Sequence, residues 1–255
     1  MDSRIALVVN TVSKNKDVWN MFFDRLQKHI PAGFFNKKYV FVDEGDYPDI
    51  PEDYEVLFYN SHEMYRDQFV SCVDKVEEEF CIYISEDYIL YQDIQDDIIH
   101  QFEKVLDTHK DLSFVRFIRG GVIDQLSPKY KSEVCDSLHH LYNYLQYFYT
   151  NQAALWRTRD LEKIHVHGPN YHIAGMEYDK QFEPAATKTC FQLGIQGVYC
   201  YYGEAKRGIY HYDTVVWPHI STALVKGKWN LSEYPHEMQR AFEEYNIDPS
   251  KRGLV

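Results

Sequence analysis

Ile5-Ala6-Leu7-Val8-Val9 is a continuous apolar run, rich in β-branched residues, with no polar residue at any alternate position. A strand that faces water on one side alternates apolar and polar residues. An unbroken run of this kind therefore reads as a strand covered on both faces, as in a parallel sheet. The next segments agree with that reading. From Lys16 onward Trp19, Phe22, Phe23, Leu26 and Ile30 fall at helical spacing until Pro31-Ala32-Gly33 stops them, and Tyr39 to Val42 and Val56 to Tyr59 read as two more strands. Tyr65, Phe69, Val73, Val76 and Phe80 mark one face of a second helix, whose polar face carries Glu77-Glu78-Glu79 as a solvated surface.

Cys81 to Ile84 is a fourth strand that runs directly into Ser85-Glu86-Asp87. Ile94, Ile98, Phe102 and Val105 mark a third helix, and Phe114 to Phe117 is a strand closed by Gly120-Gly121. Strands alternating with helices predict an α/β fold, a mostly parallel central sheet flanked by helices. Beyond residue 125 the pattern weakens. Tyr142 to Tyr149 fits helix or strand; Phe182, Ala185, Ala186 and Leu193 suggest a helix ending at Gly194; Val198 to Tyr202 reads as a strand, and a last helix begins near Ser232. No repeat, low-complexity tract or Gly/Ser linker divides the 255 residues, so 1–255 reads as one domain.

The chain carries 27 Lys and Arg against 39 Asp and Glu, a formal charge of −12. That argues against a nucleic-acid partner, because phosphate-backbone binding needs a basic face that releases counterions. Any phosphate must be met locally, by a few cations or by a divalent ion held on carboxylates. Cys72, Cys81, Cys135, Cys190 and Cys200 form no Cys-x-x-Cys pair and are odd in number, which fits reduced thiols and a cytoplasmic setting. The apolar run after Arg4 is too short for a signal-peptide core, and no run approaches the ~18 residues of a membrane span.

In open α/β sheets, ligands bind beyond the carboxyl ends of the strands, and Glu86 and Asp87 stand at such an end. Adjacent acids there can hold a divalent cation that bridges a diphosphate; the plainer reading is that they cap the next segment or face water. The order of elements up to Gly120, with Asn10-Thr11 after the first strand, a helix from Met64 and Ser85-Glu86-Asp87-Tyr88 after the fourth strand, resembles nucleotide-sugar-dependent glycosyltransferases of the GT-A fold, a Rossmann-like architecture. Their acidic motif is usually Asp-any-Asp, whereas the position two before Asp87 is Ser85. Asn151-Gln152-Ala153-Ala154-Leu155-Trp156-Arg157, then Leu161 and Ile164, then Gly175-Met176-Glu177, is similar to the acceptor side of such enzymes.

The resemblance implies a nucleotide-sugar-binding half, 1–125, and an acceptor-binding half, 126–255, that ends in a lid and a helix. It implies transfer of a sugar from a UDP- or GDP-linked donor to a glycan or other hydroxyl acceptor, assisted by Mn2+ or Mg2+. Glu86 and Asp87, with His211 and His219, would hold the metal. Thr11 and Asp43 would meet the base and ribose, Arg66 the nucleotide or sugar, and Lys206 and Arg207 the diphosphate, as part of the lid. Glu177 would deprotonate the acceptor in an inverting reaction, or bind it in a retaining one. Trp156 and Arg157 fall on the acceptor side, where Tyr147, Tyr149 and Trp156 could also stack on a sugar ring.

Each has a plainer alternative: Arg66 as a surface residue, Glu177 as an acid favoured by a helix start, His211 and His219 as residents of a solvated loop. His165, His167 and His172, around Gly168-Pro169-Asn170, read as loop. Two competing functions remain. One is a non-catalytic nucleotide- or sugar-binding module on the same fold. The other is a non-haem iron oxygenase using His211 and Asp213 with His219 or His236, a ligand set that belongs to antiparallel β-barrels and so conflicts with the opening β-α-β series.

Overall fold

A computed structural model describes residues 3–120, 126–168 and 179–255. The first half consists of β1 (Ile5–Asn10), α1 (Lys16–His29), β2 (Lys37–Asp43), β3 (Glu55–Tyr59), α2 (Tyr65–Val73), β4 (Phe80–Ser85), β5 (Ile89–Leu90), α3 (Asp96–Thr108) and β6 (Leu112–Arg116). Then come β7 (Leu138–Leu141), β8 (Ala154–Arg157), α4 (Thr158–His167), α5 (Asp179–Leu193) and β9 (Gln196–Cys200). Five short strands, β10 (Lys206–Arg207), β11 (His211–Tyr212), β12 (His219–Ile220), β13 (Leu224–Val225) and β14 (Lys228–Trp229), precede α6 (Pro235–Glu244).

One sheet has the order β3-β2-β1-β4-β8-β6-β9-β7. β1, β2, β3, β4, β6 and β9 run parallel, and β8 and β7 run against them. The fold is therefore α/β with a mostly parallel sheet, as the opening run predicts. Ile5, Leu7 and Val9 pack into a core with residues of α1, α3 and α6, whereas Ala6 and Val8 pack into the opposite core with residues of α2, α4 and α5. Both faces of β1 are dry, which is why none of its alternate positions is polar. α5 ends as its sequence predicts: Gly194 adopts φ +68°, and the Ile195 N–H bonds back to the Cys190 carbonyl at 2.9 Å, closing the last turn.

The structure corrects several expectations. The second helix stops at Val73, and Phe80 opens β4 instead of continuing the helical face. Glu77-Glu78-Glu79 is consequently loop, and Glu78 is buried, accepting from Asn36 Nδ2 at 2.8 Å and from the Tyr39 hydroxyl at 3.1 Å. The aromatic stretch 142–149 forms turns, neither helix nor strand. His165 and His167 lie in the last turn of α4, not in a loop, while Gly121, His172 and Glu177 lie outside the described residues. Among the described residues no helix is long and apolar enough to cross a membrane, and all five cysteines are buried and unpaired.

His165 stacks on Phe69 at 3.8 Å, with its Nδ1 against the Leu161 carbonyl at 2.9 Å. Burial pushes it from 6.5 down to about 4. The unfolded chain then takes up the proton first, so the neutral ring's stabilisation is complete above 6.5 and is lost as pH falls toward 4. In urea unfolding across this window, His165→Leu should lose less stability than the parent chain, by on the order of 3 kcal/mol.

Candidate functional site

The parallel strands deliver Asn10-Thr11, Asp43, Tyr59, Ser85-Glu86-Asp87 and Arg116 to their common carboxyl end. β8 runs the other way, so it brings Asn151 and Gln152, which precede it, to the same end. Helices that return from this end begin there, which places Tyr65 and Arg66 of α2 beside it.

The acid pair is divided by its burial. Glu86 is buried, whereas Ser85 and Asp87 on either side of it are half-buried. The Glu86 carboxylate turns inward, where Oε1 accepts from the Asn15 side-chain amide. Burial raises its carboxyl above the usual range, opposed by hydrogen bonds from Asn15 and Thr11. Ser85 and Asp87 are thus the pair nearer the surface. Asp87 also accepts the Ala223 N–H through its main-chain carbonyl at 3.3 Å.

Thr11 and Asp43 serve mainly to build the end of the sheet. The buried Thr11 hydroxyl accepts from Trp19 Nε1 at 2.9 Å, and its carbonyl accepts from the Tyr59 hydroxyl at 2.8 Å. Asp43 takes the Ser13 N–H at 2.6 Å and the Ser13 hydroxyl, which fixes the turn before α1. Arg66 is half-buried and pairs with its neighbour Asp67 at 3.0 Å. Asn10 Nδ2 and the Tyr65 hydroxyl meet the Tyr83 hydroxyl at 3.4 and 3.3 Å, giving this end a polar floor.

The two histidines of the predicted ligand set are both buried. His219, on β12, is fully buried against the Tyr88 ring, with Nδ1 at 2.6 Å from the Trp217 carbonyl. Burial pushes it down to about 4. His211 stacks on Tyr234, its Nε2 3.6 Å from Glu233. The four-residue metal set is therefore not brought together, and no cluster of three or more potential ligands forms among the described residues. Mn2+ and Mg2+ are commonly bound through one or two carboxylates plus substrate phosphates, and Asp87 is the member of the set that fits this mode.

The oxygenase arrangement fails on its carboxylate as well as on the fold. Asp213 is occupied by Arg207 Nε at 3.0 Å, the Tyr91 hydroxyl and the Thr214 N–H at 3.2 Å, and His236 is exposed on α6. A cavity of about 360 Å³ borders this cluster, lined by Tyr91, Asp93, Glu204 and Asp213 among others, but by none of the residues at the acidic turn.

Lys206 and Arg207 begin a hairpin, β10–β11, whose tip is Gly208-Ile209-Tyr210. Arg207 is held at the base by Asp213 and by Glu237 at 2.8 Å. Burial alone would lower the guanidinium, but these two acids more than offset it and hold it above its ordinary value. Gly208, at φ +60°, lies so close to Glu233 that a Cβ would fall 2.0 Å from Oε1. Lys206 is exposed, its ammonium 5.9 Å from the Tyr212 ring centre.

Trp156 and Arg157 do not reach the carboxyl end. Trp156 is 2% exposed and stacks on Phe114 at 4.1 Å inside the core. Arg157 lies opposite Phe80, at the amino end of β4, bonded to the Leu112 carbonyl at 2.9 Å and to that of Leu106. Tyr149 is buried as well, while the Tyr147 ring lies 6.4 Å from that of Tyr210.

Glu183, in the second turn of α5, is the carboxylate that sequence reasoning passed over. Its Oε1 accepts the Asn151 N–H at 2.8 Å. It is the first charge acting on Arg116, which is 1% exposed, bonds the Tyr147 and Phe148 carbonyls, and is lowered to about 10 by burial. The buried Tyr88 phenol is raised by burial first, then by Asp87 and by Glu183. The available signal was slight: an acid between Phe182 and Pro184 in a helix of mixed composition.

Neither a protein-family model nor a curated protein matches the chain. Among solved structures it is similar to a CMP:2-keto-3-deoxy-manno-octonic acid synthetase complexed with CTP, at 12% identity over 96% of this chain and 100% of that one, with a TM-score of 0.49. It is similar to TarS 1-349 from S. aureus, at 14% identity over 97% and 68% of the two chains, TM-score 0.47. The mannosyltransferase PcManGT from Pyrobaculum calidifontis, in complex with GDP-Man and Mn2+, gives 12% identity over 82% and 59%, TM-score 0.45. The chain spans half, 50%, of the bifunctional IspDF from Campylobacter jejuni.

The division of the acid pair has a thermodynamic signature. Glu86→Ala should cost about 1–3 kcal/mol in urea unfolding, because it strands the Asn15 donor, whereas Asp87→Ala should cost under about 1 kcal/mol.

Proposed function

We propose that this chain is a nucleotide-sugar-dependent glycosyltransferase of the GT-A type, with the donor diphosphate at Asp87 and the acceptor at Glu183. The observation that carries this reading is the placement of two carboxylates at one end of the sheet: Asp87 follows β4, and Glu183 of α5 accepts the Asn151 N–H just before the antiparallel β8.

Sugar transfer in an inverting reaction needs two kinds of help, one for the leaving group and one for the attacking hydroxyl on the opposite face of the anomeric carbon. The departing nucleoside diphosphate gains negative charge as the glycosidic bond breaks, and stabilising that charge favours the transition state over the ground state. Asp87 would hold Mn2+ or Mg2+, whose charge meets the diphosphate. Ser85 beside it and Arg66 at the start of α2 line the same approach. Thr11 and Asp43 would meet the base and ribose, and Lys206, exposed on β10, would meet the phosphates as part of a lid. On the acceptor side Glu183 would accept the hydroxyl proton, its carboxylate oriented by the Asn151 N–H. The neighbouring Tyr147 and Tyr210 offer rings to a sugar acceptor. Glu177, in the same stretch of sequence, is a second candidate for the acceptor side.

Thermal unfolding against UDP, GDP and CMP and their sugar conjugates, with Mn2+ and again with EDTA, tests the donor half. One nucleotide series should raise the midpoint, and Asp87→Ala should abolish the rise. Glu183→Gln should keep that rise while lowering transfer by at least about a hundredfold. Binding without turnover of any conjugate would instead make the chain a non-catalytic module, and no shift with any nucleotide would overturn the donor site.

A further inference from the structure

The buried Glu86 is the end of a chain of side chains that starts far along the sequence. Arg252 comes just after a short 3-10 turn, Pro249–Lys251, and its guanidinium lies 5.6 Å from the Trp229 ring centre. The adjoining backbone is fastened to the same residue: the Trp229 N–H donates to the Gly253 carbonyl, and the Val255 N–H to the Trp229 carbonyl, both at 3.0 Å. From there the guanidinium reaches across to the start of α1. Nε donates to Asp17 Oδ2 at 3.1 Å and Nη2 to Asp17 Oδ1, while Nη1 donates to the Gly227 carbonyl and to Asn15 Oδ1, each at 3.1 Å.

Asn15 passes the contact on. Its oxygen is taken by Arg252, so its amide nitrogen faces Glu86 Oε1 and donates to it. Reversing the amide would set NH2 against a guanidinium and oxygen against a carboxylate, so the two charged neighbours admit one orientation. Glu86 is thereby held inward, and the adjacent Asp87 is left on the half-buried side of the turn, which Tyr88 closes by donating its N–H to the Ser85 carbonyl at 3.1 Å.

We propose that Arg252, acting through Asn15 on Glu86, is a positioning residue that orients the turn presenting Asp87. The inference rests on the donor site proposed above for its functional consequence, but not for its structural one. Removing a residue that orients a ligand-holding carboxylate typically changes affinity about 10–100-fold.

Two readouts keep the proposal and the function separable. In the ligand-free protein, amide hydrogen exchange across residues 83–91 should quicken in Asn15→Ala and in Arg252→Ala. Lys251→Ala, on an exposed neighbour, should leave it unchanged. Asn15→Asp retains the acceptor for Arg252 but opposes a carboxylate to Glu86, so it tests the last link even where Arg252→Ala fails to fold. By calorimetry, whichever of UDP or GDP the parent chain binds with Mn2+ should bind about tenfold more weakly to each single variant, and no more than about tenfold more weakly to the double variant, because both cut one path. Arg252→Lys should recover part of the loss. Exchange that quickens only around 13–17 and 225–230, or single-variant effects that multiply in the double, would overturn the proposal. A parent chain that binds neither nucleotide would sink the donor site, while the exchange data would still decide whether Arg252 orders the turn.

Discussion

Everything in this molecule is arranged around a strand that has no wet side. β1 is walled by α1, α3 and α6 on one face and by α2, α4 and α5 on the other, and each of Ile5 to Val9 is fully buried. A two-sided demand of that kind requires helices on both faces, which crossover connections between parallel strands supply. It also leaves one place where polar groups can gather without breaking the core. Strand ends are where the hydrogen-bond ladder stops, and the carboxyl ends collect Asn10, Asp43, Ser85, Asp87 and Arg116.

Much of this polar end holds itself together. Thr11 supports Trp19 and Tyr59, Asp43 supports Ser13, Glu86 supports Asn15, and Arg116 supports the 147–148 carbonyls. Such internal satisfaction is what lets a few groups nearer the surface, Asp87 foremost, be held in one geometry. The interior charges are thus a scaffold for surface ones. A net charge of −12 makes the same point from outside, because an anionic ligand would need locally placed cations or a metal to settle here.

The parallel half of the fold was legible because apolar runs and helical spacing report burial directly, and burial is what the sheet imposes. α1, β2, β3, β4, α3 and α5 lie where periodicity places them. The site was legible only to the level of its turn. Glu86 and Asp87 are adjacent in sequence yet face different environments, and no local pattern tells which of two neighbouring acids will be pulled inward by an asparagine seventy-one residues away. Trp156 and Arg157 mislead for a different reason. A short strand such as β8 has no directional mark in its sequence, and its antiparallel insertion carries Arg157 to the amino end while sending Asn151 and Gln152 to the site. Glu78 escapes notice likewise, since three consecutive glutamates look solvated until Asn36 and Tyr39 are folded against the middle one.

β8 has a further consequence, for the order in which the chain assembles. β1 to β4 can pair among themselves once residue 85 is available, but β4 and β6 never touch as neighbours in the sheet; β8, at 154–157, is the strip between them. Until that segment arrives, β4 presents an open ladder of unpaired N–H and C=O groups, the kind of edge that invites association with another chain. Closing it joins residues separated by about seventy positions, a non-local step of the sort that slows folding. A four-residue strand thus governs how long the nascent molecule remains sticky.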